Sequence, residues 1–490
     1  MKRRIPTVSW APGAIVLALA LSGCVSGPDF ERPEPDVGQQ FVASGDSEGI
    51  DRFATDDLPG TRWWREFEDP TLDALVERAL NENLSVETGL ARLQQATALA
   101  DAARGARLPS VQATAQGARV RTSSPNLASF GTDAIEITGY SADLRVSYDL
   151  DLFGKRARRA ESARARRDEA AYRLQAIRLL VAAEVVTTYI ELASLRHEIA
   201  LRKQQIEDQQ ARLDLLEARR RFGLERGATA IDAAAEVEQL RAMLPSIRQR
   251  TDGAVHRLAV LQGLFPAQAV VKKASLAGLK QPVSLDTGIP SQLVRNRPDI
   301  LAAEARLAAA SAEIGVATAN LYPDLSIMAS GGVAGFEGAV TILEPVWSIG
   351  GGILAPLFQG GRLRAEKRAA EANYRAELGE YRGVVLGAFE QVANGLRAFE
   401  NNSQAVKSSA KAARLAEESH AVAAARFDAG VEAYTSVLLT QRRAQDARIG
   451  ELRAKASWLS DTALLLSAVA PVEPMSAIVG DAIPPKHPLP

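Results

Sequence analysis

Residues 140–152 read YSADLRVSYDLDL, and apolar and polar side chains alternate through the whole stretch. A period of two predicts a β-strand with one apolar face and one charged face. The stretch is long enough to cross a bilayer, because a tilted strand needs ~9–11 residues for the crossing. A strand that is apolar outside and polar inside is typical of a transmembrane barrel with a wet interior. The residues expected to face lipid are Tyr140, Leu144, Val146, Tyr148 and Leu150.

The polar side of the same strand carries Asp149 and Asp151. Paired carboxylates can serve acid–base catalysis, but on this pattern we expect both to be solvated residues that face a lumen. Taken alone, the alternation fits an amphipathic sheet packed on helices equally well. The secretion signal described below and the scarcity of other strand patterns favour the membrane.

The chain around this strand repeats one order of elements twice, about 205 residues apart, which indicates a duplication. The first repeat, 61–268, has a helix at 72–107, strands at 109–121 and 138–153, a long helix at 154–222 and a helix at 228–265. The second repeat, 289–470, has a helix at 289–321, strands at 323–335 and 346–358, a long helix at 360–427 and a helix at 432–468. A linker at 269–288 separates the repeats, and a flexible proline-rich tail is expected at 471–490.

Both long helical patterns far exceed the usual length of a helix. Residues 154–222 contain no proline and no glycine after Gly154, and as a helix they are roughly 100 Å long at 1.5 Å per residue. Apolar residues recur at spacings of three, four and seven in both patterns, which predicts coiled-coil-like packing. The arginine-rich start at 155–167 is interleaved with Glu and Ala, which indicates a solvated helix face rather than a nucleic-acid site.

The far ends of the long helices carry matching breaks, Arg-Phe-Gly and Arg-Phe-Asp-Ala-Gly. Glycine there supplies the left-handed turn that often ends a helix. Because these breaks lie far from the strands along the chain, we expect two helical tips that are remote from the membrane and open to docking by another protein. The candidate tip residues are Arg221, Phe222, Gly223, Gly227, Arg426, Phe427, Gly430 and Tyr434.

The amino end predicts secretion and lipid modification. Residues 1–23 combine three basic residues with an apolar run that is shorter than the ~20 residues of a membrane-spanning helix, so we interpret them as a signal peptide. The run Leu-Ser-Gly at 21–23 resembles a lipobox and precedes Cys24, the only cysteine of the chain. Acyl chains on Cys24 would anchor the protein, since each buried CH₂ adds ~0.8 kcal/mol. We expect residues 24–60 to form a lipidated, extended tether, and Val25 in place of Asp favours the outer membrane.

Four predicted strands cannot close a barrel within one chain. Open sheet edges in lipid leave backbone groups unpaired, at several kcal/mol each, so several chains must share one barrel. Two chains would supply eight strands, whose side chains largely fill the interior, whereas three supply twelve and leave a channel. The sequence therefore predicts a homotrimer.

Composition narrows the class of function. The formal net charge of −1 gives no basic excess for binding nucleic acid, and four scattered histidines with one cysteine give no zinc ligand set. The chain lacks the serine-hydrolase, metalloprotease and phosphate-loop motifs. We expect no enzyme, no metal and no cofactor, so that transport through the protein is passive and is powered elsewhere.

Several short stretches together resemble the outer membrane factor family, the TolC-like lipoprotein ducts of resistance-nodulation-division efflux systems (the OprM/NodT type). The resemblance runs from Cys24 to about residue 468 and rests on WWREF at 63–67, SYDLDLFG at 147–154, RPDI at 297–300, YP at 322–323 and APLF at 355–358. In the Arg-Pro-Asp run, proline and an acid suit the first turn of a helix. One departure is Leu439, which stands where many relatives carry an acidic residue near the aperture, so no gate residue is assigned.

The resemblance implies a mixed α and β membrane protein: a trimer with a shared twelve-stranded transmembrane barrel, four strands per chain, and long helices that form a periplasmic α-barrel. It implies an outer-membrane, passive exit duct for drugs and other small toxic compounds, coupled to a periplasmic adaptor (membrane fusion) protein and an inner-membrane resistance-nodulation-division pump. A type I secretion duct for polypeptides and a pore-free periplasmic coiled-coil scaffold are the alternatives. The lipobox favours efflux over type I secretion, since secretion ducts usually lack it.

Overall fold

The computed structural model describes residues 26–34, 60–122, 135–223, 227–269, 271, 274–276, 278–280, 296–337 and 342–472. Cys24, the signal peptide, most of the expected linker and most of the tail lie outside the described residues. The chain divides into two compact units. The first comprises Met1–Pro33, Gln94–Glu169 and Ala303–Tyr381, and the second comprises Glu34–Leu93, Ala170–Ala302 and Arg382–Pro490.

The described elements confirm a mostly helical chain with one small sheet. In the first repeat they are α1 (Pro70–Glu82), α2 (Leu84–Gly105), β1 (Ser110–Thr122), β2 (Ile135–Asp149), α3 (Lys155–Arg221) and α4 (Gly227–Leu261). In the second repeat they are α5 (Pro298–Ala319), β3 (Asp324–Glu337), β4 (Ile342–Leu354), α6 (Arg362–Asp428) and α7 (Tyr434–Val469). The two long helices α3 and α6 both contain 67 residues, which is roughly 100 Å of helix and matches the expected duplication.

The four strands form a single antiparallel sheet in the order β1-β2-β3-β4. The strands of each repeat pair with each other, and β2 of the first repeat pairs with β3 of the second. Within the described residues, β1 and β4 therefore each have one free edge. The sheet belongs to the first unit, where α2 leads into edge strand β1 and α6 follows edge strand β4.

The second unit contains the apolar core. Trp63, Phe67 and Leu72 are fully buried and pack with apolar residues of the long helices. Asp69 starts α1, since its carboxylate accepts hydrogen bonds from the backbone of Thr71 and Leu72. The hydroxyl of Tyr189 donates to the other oxygen of Asp69 at 2.7 Å, so one carboxylate caps a helix and fastens it to α3.

Two helices end earlier than the sequence pattern predicts, because a cap stops each of them. The helix expected at 72–107 is two helices, because Asn83 ends α1 and caps α2 by accepting from the backbone N–H groups of Ser85 and Val86. The helix expected at 228–265 ends at Leu261, where Gly263 takes a left-handed φ of 69°.

The strand expected at 346–358 runs instead from Ile342 to Leu354. Ala355 and Pro356 end it, since proline has no N–H for the ladder. The side chains of Leu357 and Phe358 beyond it are almost fully exposed, Phe358 at 89%.

Arg297, in the expected Arg-Pro-Asp motif, fastens the start of α5 in the second unit. Its guanidinium, which is mostly buried, donates to the Ala468 carbonyl at 3.0 Å, to Gln391 at 2.8 Å and to Asp299 at 2.8 Å. The motif therefore joins three helices, in addition to suiting a helix start.

We expect Arg297→Met to lower the free energy of unfolding by about 1–3 kcal/mol, because the buried Ala468 carbonyl loses its donor. The matched control Arg257→Met removes a surface ion pair with Glu184 and should cost at most about 1 kcal/mol. Thermal unfolding of the purified protein, followed by circular dichroism, measures the difference. Equal losses in the two variants would contradict the role assigned to Arg297.

Candidate functional site

The sheet has one face that is apolar except at the end remote from the helices, and we call it the apolar face. At that end the same face carries Arg119, Arg121, Glu136 and Glu337. Strand register places the even-numbered residues of β2 on this face, together with the odd-numbered residues of β1, β3 and β4. Its members include Val111, Ala113, Ala115, Tyr140, Ala142, Leu144, Val146, Tyr148, Ile327, Ala329, Val333, Leu343, Trp347, Ile349 and Ile353. The period-two pattern of one strand thus extends across all four.

The opposite face, the polar face, is held together by hydrogen bonds between side chains of neighbouring strands. Thr114 donates to Asp143 at 2.7 Å. Ser110 and Ser147 are hydrogen-bonded at 2.7 Å, as are Ser330 and Ser348 at 2.8 Å. Such cross-strand pairs stabilise a sheet while leaving a hydrophilic surface.

The apolar face lacks a covering layer within the described residues. Trp347 is 80% exposed, and Ile349 is 72% exposed. A contiguous apolar surface of this kind marks a binding partner or a membrane. Tyr140 and Tyr148 are roughly 27 Å apart along β2 at ~3.4 Å per residue, a span close to the ~25 Å apolar band of outer-membrane barrels.

Four of the five residues expected to face lipid, Tyr140, Leu144, Val146 and Tyr148, lie on the apolar face. The fifth, Leu150, is half-buried one position beyond the strand, although its N–H still donates to the Leu325 carbonyl at 2.9 Å. The strand therefore ends earlier than the sequence pattern predicts. That these residues contact lipid stays a prediction.

Asp149 and Asp151 both lie at the junction between β2 and α3, and the expectation that they face a lumen stays a prediction. Asp151 has a left-handed φ of 46°, and its carboxylate accepts from the backbone N–H groups of Arg156 and Ala157, both at 2.8 Å. It therefore ends the strand and caps α3. Asp149 is ion-paired with Arg156, so both carboxylates serve the junction between strand and helix.

Residues 26–33 of the expected extended tether are docked on the helices of the first unit, and we call them the strap. The buried guanidinium of Arg158 donates to the carbonyls of Ser26 and Gly27 and to the carboxylate of Asp29. Arg32 pairs with Glu304 at 2.7 Å; burial raises the pKa of the Glu304 carboxyl and Arg32 opposes that shift. The sequence hint for this contact was Gly315, a small residue in the middle of α5 that faces the strap.

In the second unit, each of the two helical tips turns at a glycine. Gly223 and Gly430 have left-handed φ values of 73° and 76°, as such turns require. Gly223, the glycine of the Arg-Phe-Gly break, therefore makes the first turn as expected, and Gly227 is the first residue of α4. Arg221 is the last residue of α3, and residues 224–226 lie outside the described part.

The candidate docking residues at the tips are unequally exposed. Phe222 is 80% exposed, and Arg426 forms an ion pair with Glu432 at 3.4 Å. Phe427 and Tyr434 are half-buried, with ring centroids 5.4 Å apart. Phe222 is therefore free for docking, whereas Phe427 and Tyr434 also have a packing role.

Tyr434 of the second hairpin packs against the first hairpin. It joins a small apolar cluster formed by Leu213, Leu216, Ala230, Ala233 and Val237. Arg212 lies over the Tyr434 ring at 5.9 Å and hydrogen-bonds to Gln441; burial raises the pKa of the Tyr434 hydroxyl. Sequence reasoning missed Arg212, because a contact between distant helices leaves no local pattern.

Helices and acidic residues point to no further site in the described part of the chain. None of its helices combines the length and apolarity needed to cross a membrane. Its His, Cys, Asp and Glu side chains form no group of three or more placed to hold a metal ion.

Comparison with known proteins identifies the family. The family model described as outer membrane efflux protein matches residues 75–264 and 289–470. The chain belongs to the outer membrane efflux protein family.

Relatives of this outer membrane efflux protein match nearly their full length. The pyoverdine export outer membrane protein OpmQ of Pseudomonas putida is 33% identical over 84% of this chain and 88% of that protein. The toluene efflux pump outer membrane protein TtgF, from another strain of Pseudomonas putida, is 28% identical over 93% of this chain and 95% of that protein. The solved structure of the outer-membrane channel OprN superposes with a TM-score of 0.82 at 28% identity, covering 92% of this chain and 99% of that one.

These matches confirm the expected class of function. The protein is an efflux duct of the outer membrane with the TolC-like channel fold. The family is one of transport channels, and the expectation that transport is passive stays a prediction.

If the apolar face contacts lipid, a charged residue on it should disfavour membrane insertion far more than a charged residue on the polar face. Leu144→Lys places a cation midway along the apolar face, which we expect to disfavour insertion by about 2–4 kcal/mol. The control Ser141→Lys puts the same charge on the polar face of the same strand. The fraction of protein that resists urea extraction from outer membranes measures insertion, and equal behaviour of the two variants would rule out the assignment of faces.

Proposed function

We propose that three copies of this chain form one lipid-anchored exit duct, through which drugs and other small toxic compounds leave a tripartite efflux system. Each copy would add four strands to a twelve-stranded barrel, and the long helices would form a periplasmic α-barrel. A periplasmic adaptor and an inner-membrane resistance-nodulation-division pump would complete the system, with Cys24 as the acylated residue. Names such as toluene efflux pump protein among the relatives support small toxic compounds as cargo.

The observation that carries the proposal is the pair of free strand edges beside an uncovered apolar face. In lipid, each unpaired backbone group of β1 and β4 would cost several kcal/mol. Pairing β4 of one copy with β1 of the next removes this cost at every edge once the ring closes. Eight strands would leave an interior filled by side chains, whereas twelve leave room for a channel.

The helices that continue the two edge strands support the same contact. In the first unit, α6 and α2 each have an exposed row of mostly small residues, spaced three or four apart. The rows are Ala365, Ala369, Ala372, Ala376 and Gly379 on α6, and Gln95, Ala98, Ala102 and Gly105 on α2. A Cβ added to Gly379 or Gly105 would meet nothing within 4 Å. Gly379 lies inside α6, where glycine costs ~1 kcal/mol, so its presence suits close approach by a helix of a neighbouring copy.

The internal repeat predicts which residues pair between copies. Ser110 faces Ser147 in the first repeat as Asp324 faces Leu354 in the second, so Ser110 corresponds to Asp324 and Ser147 to Leu354. Leu144 and Gly331 are paired where the two repeats join. By the same correspondence, Leu144 matches Gly351 and Gly331 matches Gly117. We therefore expect Gly351 of one copy to pair with Gly117 of the next. The apolar faces of the two copies then continue into each other, since both residues belong to that face.

Cysteines at this pair should crosslink neighbouring copies. Opposite residues of antiparallel strands have Cα atoms ~4.5–5.5 Å apart, within the range that a disulfide bridges. A chain with Gly351→Cys and Gly117→Cys, oxidised in outer membranes, should give covalent dimers and trimers on a non-reducing gel.

The number of crosslinked bands tests the trimer, whereas the choice of cysteine pair tests the strand register. A closed ring of three stops the ladder at three chains, and bands beyond three would refute the trimer. The matched control pairs Gly351→Cys with Ala113→Cys, about 14 Å out of register along the strand, and should crosslink poorly. Stronger crosslinking by the control than by the Gly117 pair would show that the register is wrong while the trimer stands.

The helical tips suit docking of the adaptor. Phe222, Ile231 and Val431 expose apolar side chains near the two turns, and exposed apolar residues of this kind favour a protein partner. Gly430 sets the shape of the second turn through its positive φ, a conformation that a branched side chain rarely adopts.

We expect Gly430→Val to weaken coupling to the cognate adaptor while leaving assembly of the duct intact, because the strain is confined to one turn. Ala429→Val, at the neighbouring exposed position, is the control for added bulk. Chemical crosslinking to the adaptor and dye accumulation in cells report coupling, and the disulfide ladder reports assembly. Normal crosslinking and normal efflux in Gly430→Val would show that the tip does not dock the adaptor.

A further inference from the structure

In the first unit, four helices lie side by side in the order α2, α3, α5 and α6. Arg156 of α3 donates to the Ala106 carbonyl just after α2, and Arg166 of α3 is ion-paired with Glu313 of α5. Arg306 of α5 forms ion pairs with two glutamates of α6. The helices therefore follow the order of the strands to which they are joined.

A cleft of about 520 Å³ is lined by residues of all four helices. Its lining includes Leu99 of α2, Arg159 of α3, Val316 of α5 and Ala370 of α6. Because α2 and α6 are the outermost of the four helices, they can line one cleft only on the side toward which the layer of helices curves. If copies of this layer close into a ring, that concave side is the inside of the ring.

The strap lies on the other side of the same layer. A Cβ added to Gly315 of α5 would lie 2.8 Å from the Ser26 carbonyl, so Gly315 faces the strap. Glu313 and Ala317, which line the cleft, are each two residues away from Gly315 along α5. Two residues correspond to a rotation of ~200° about a helix axis. The strap therefore does not cover the cleft.

The cleft combines an apolar lining with one uncompensated positive charge. Leu99, Val316 and four alanines supply the apolar part, and Leu99 is 61% exposed. The charged lining residues are two arginines and one glutamate, and Arg166 is ion-paired with Glu313. The exposed side chain of Arg159 has no ion pair or hydrogen bond within the described residues. Its guanidinium is therefore available to bind an anion.

The internal repeat indicates that the fold itself does not require this cation. Helix α3 begins at Lys155 and α6 begins at Arg362, so Arg159, the fifth residue of α3, corresponds to Glu366 of α6. Glu366 is ion-paired with Arg362. One repeat thus has a paired acid at the position where the other has an arginine without a partner in the described part. This difference favours a role for Arg159 outside the packing of the helices.

We propose that the cleft binds amphipathic organic anions, molecules with an apolar body and a carboxylate or sulfonate group, as they pass through the duct. The inference rests on the proposed function, which makes the concave side of the helices the wall of the lumen. The anionic group would lie against Arg159, since guanidinium forms strong, charge-assisted hydrogen bonds with anionic oxygens. The amide of Asn320 is a further donor in the lining.

The apolar body of such an anion would lie on Leu99 and Val316. The cleft volume of about 520 Å³ falls within the ~300–1,000 Å³ that is usual for sites of small molecules. A site that is open on one side suits cargo that must leave again, because a duct that holds its cargo tightly would not pass it on.

A photoreactive anion tests the site in the assembled protein. The probe is an azidonaphthalene sulfonate, and the uncharged azidonaphthalene measures what the sulfonate contributes. The full chain carries Gly351→Cys and Gly117→Cys, so that linked trimers separate from monomers on a non-reducing gel. The protein is reconstituted in lipid nanodiscs and irradiated at increasing probe concentration, and mass spectrometry of each band identifies the labelled residues.

We expect saturable labelling of the cleft residues of α2 and α3 in the trimer band. Arg159→Gln should raise the half-saturating concentration of the sulfonate probe about tenfold, because the anion loses a charged donor. The matched control Arg164→Gln removes the same charge from an exposed position of α3 outside the cleft and should leave that concentration unchanged. Ala317→Leu narrows the cleft without changing its charge and should also weaken labelling.

Three outcomes would contradict the inference in different ways. Equal effects of Arg159→Gln and Arg164→Gln, or equal labelling of the cleft by the uncharged probe, would overturn the anion site and leave the duct in place. Labelling confined to the monomer band would show that assembly covers the cleft, which would overturn its role in the passage of cargo. Labelling of the cleft in a protein that gives no trimer band would instead overturn the proposed duct.

Discussion

The requirement that backbone N–H and C=O groups be paired wherever water is absent underlies the whole molecule. One chain supplies four antiparallel strands with an uncovered apolar face and, in the described residues, two free edges. In hydrocarbon those edges can be satisfied only by further strands, and the repeat within the chain already contains the needed contact between β2 and β3. A contact that joins two halves of one chain can, when repeated between copies, close a ring.

Duplication explains why the helices fit this plan. The long helices of the two repeats have the same number of residues, 67 in each, and each follows the second strand of its repeat. The second strand of each repeat therefore continues into a long helix. The small residues that face outward on α2 and α6 lie on the helices that continue the edge strands, where helices of two copies would meet.

The sequence predicts the fold well where the signal is periodic and local. Alternation in β2, coiled-coil-like spacing in α3 and α6 and the repeat order all give elements near their observed bounds. Prediction fails where a single side chain decides. Asp151 ends β2 and caps α3, so Leu150 falls outside the strand, and Asn83 divides the first helix. The docked strap depends on Arg158, more than a hundred residues away along the chain, and such a contact leaves no periodic pattern.

Single-channel recording in a planar lipid bilayer tests most directly whether the polar face lines a shared aqueous pore. We expect step-like currents from the purified protein and, for Ser141→Lys, a reversal potential shifted toward anions in a salt gradient, since every copy would add a cation to the pore wall. Absence of steps, or a reversal potential that the added lysines leave unchanged, would contradict this expectation.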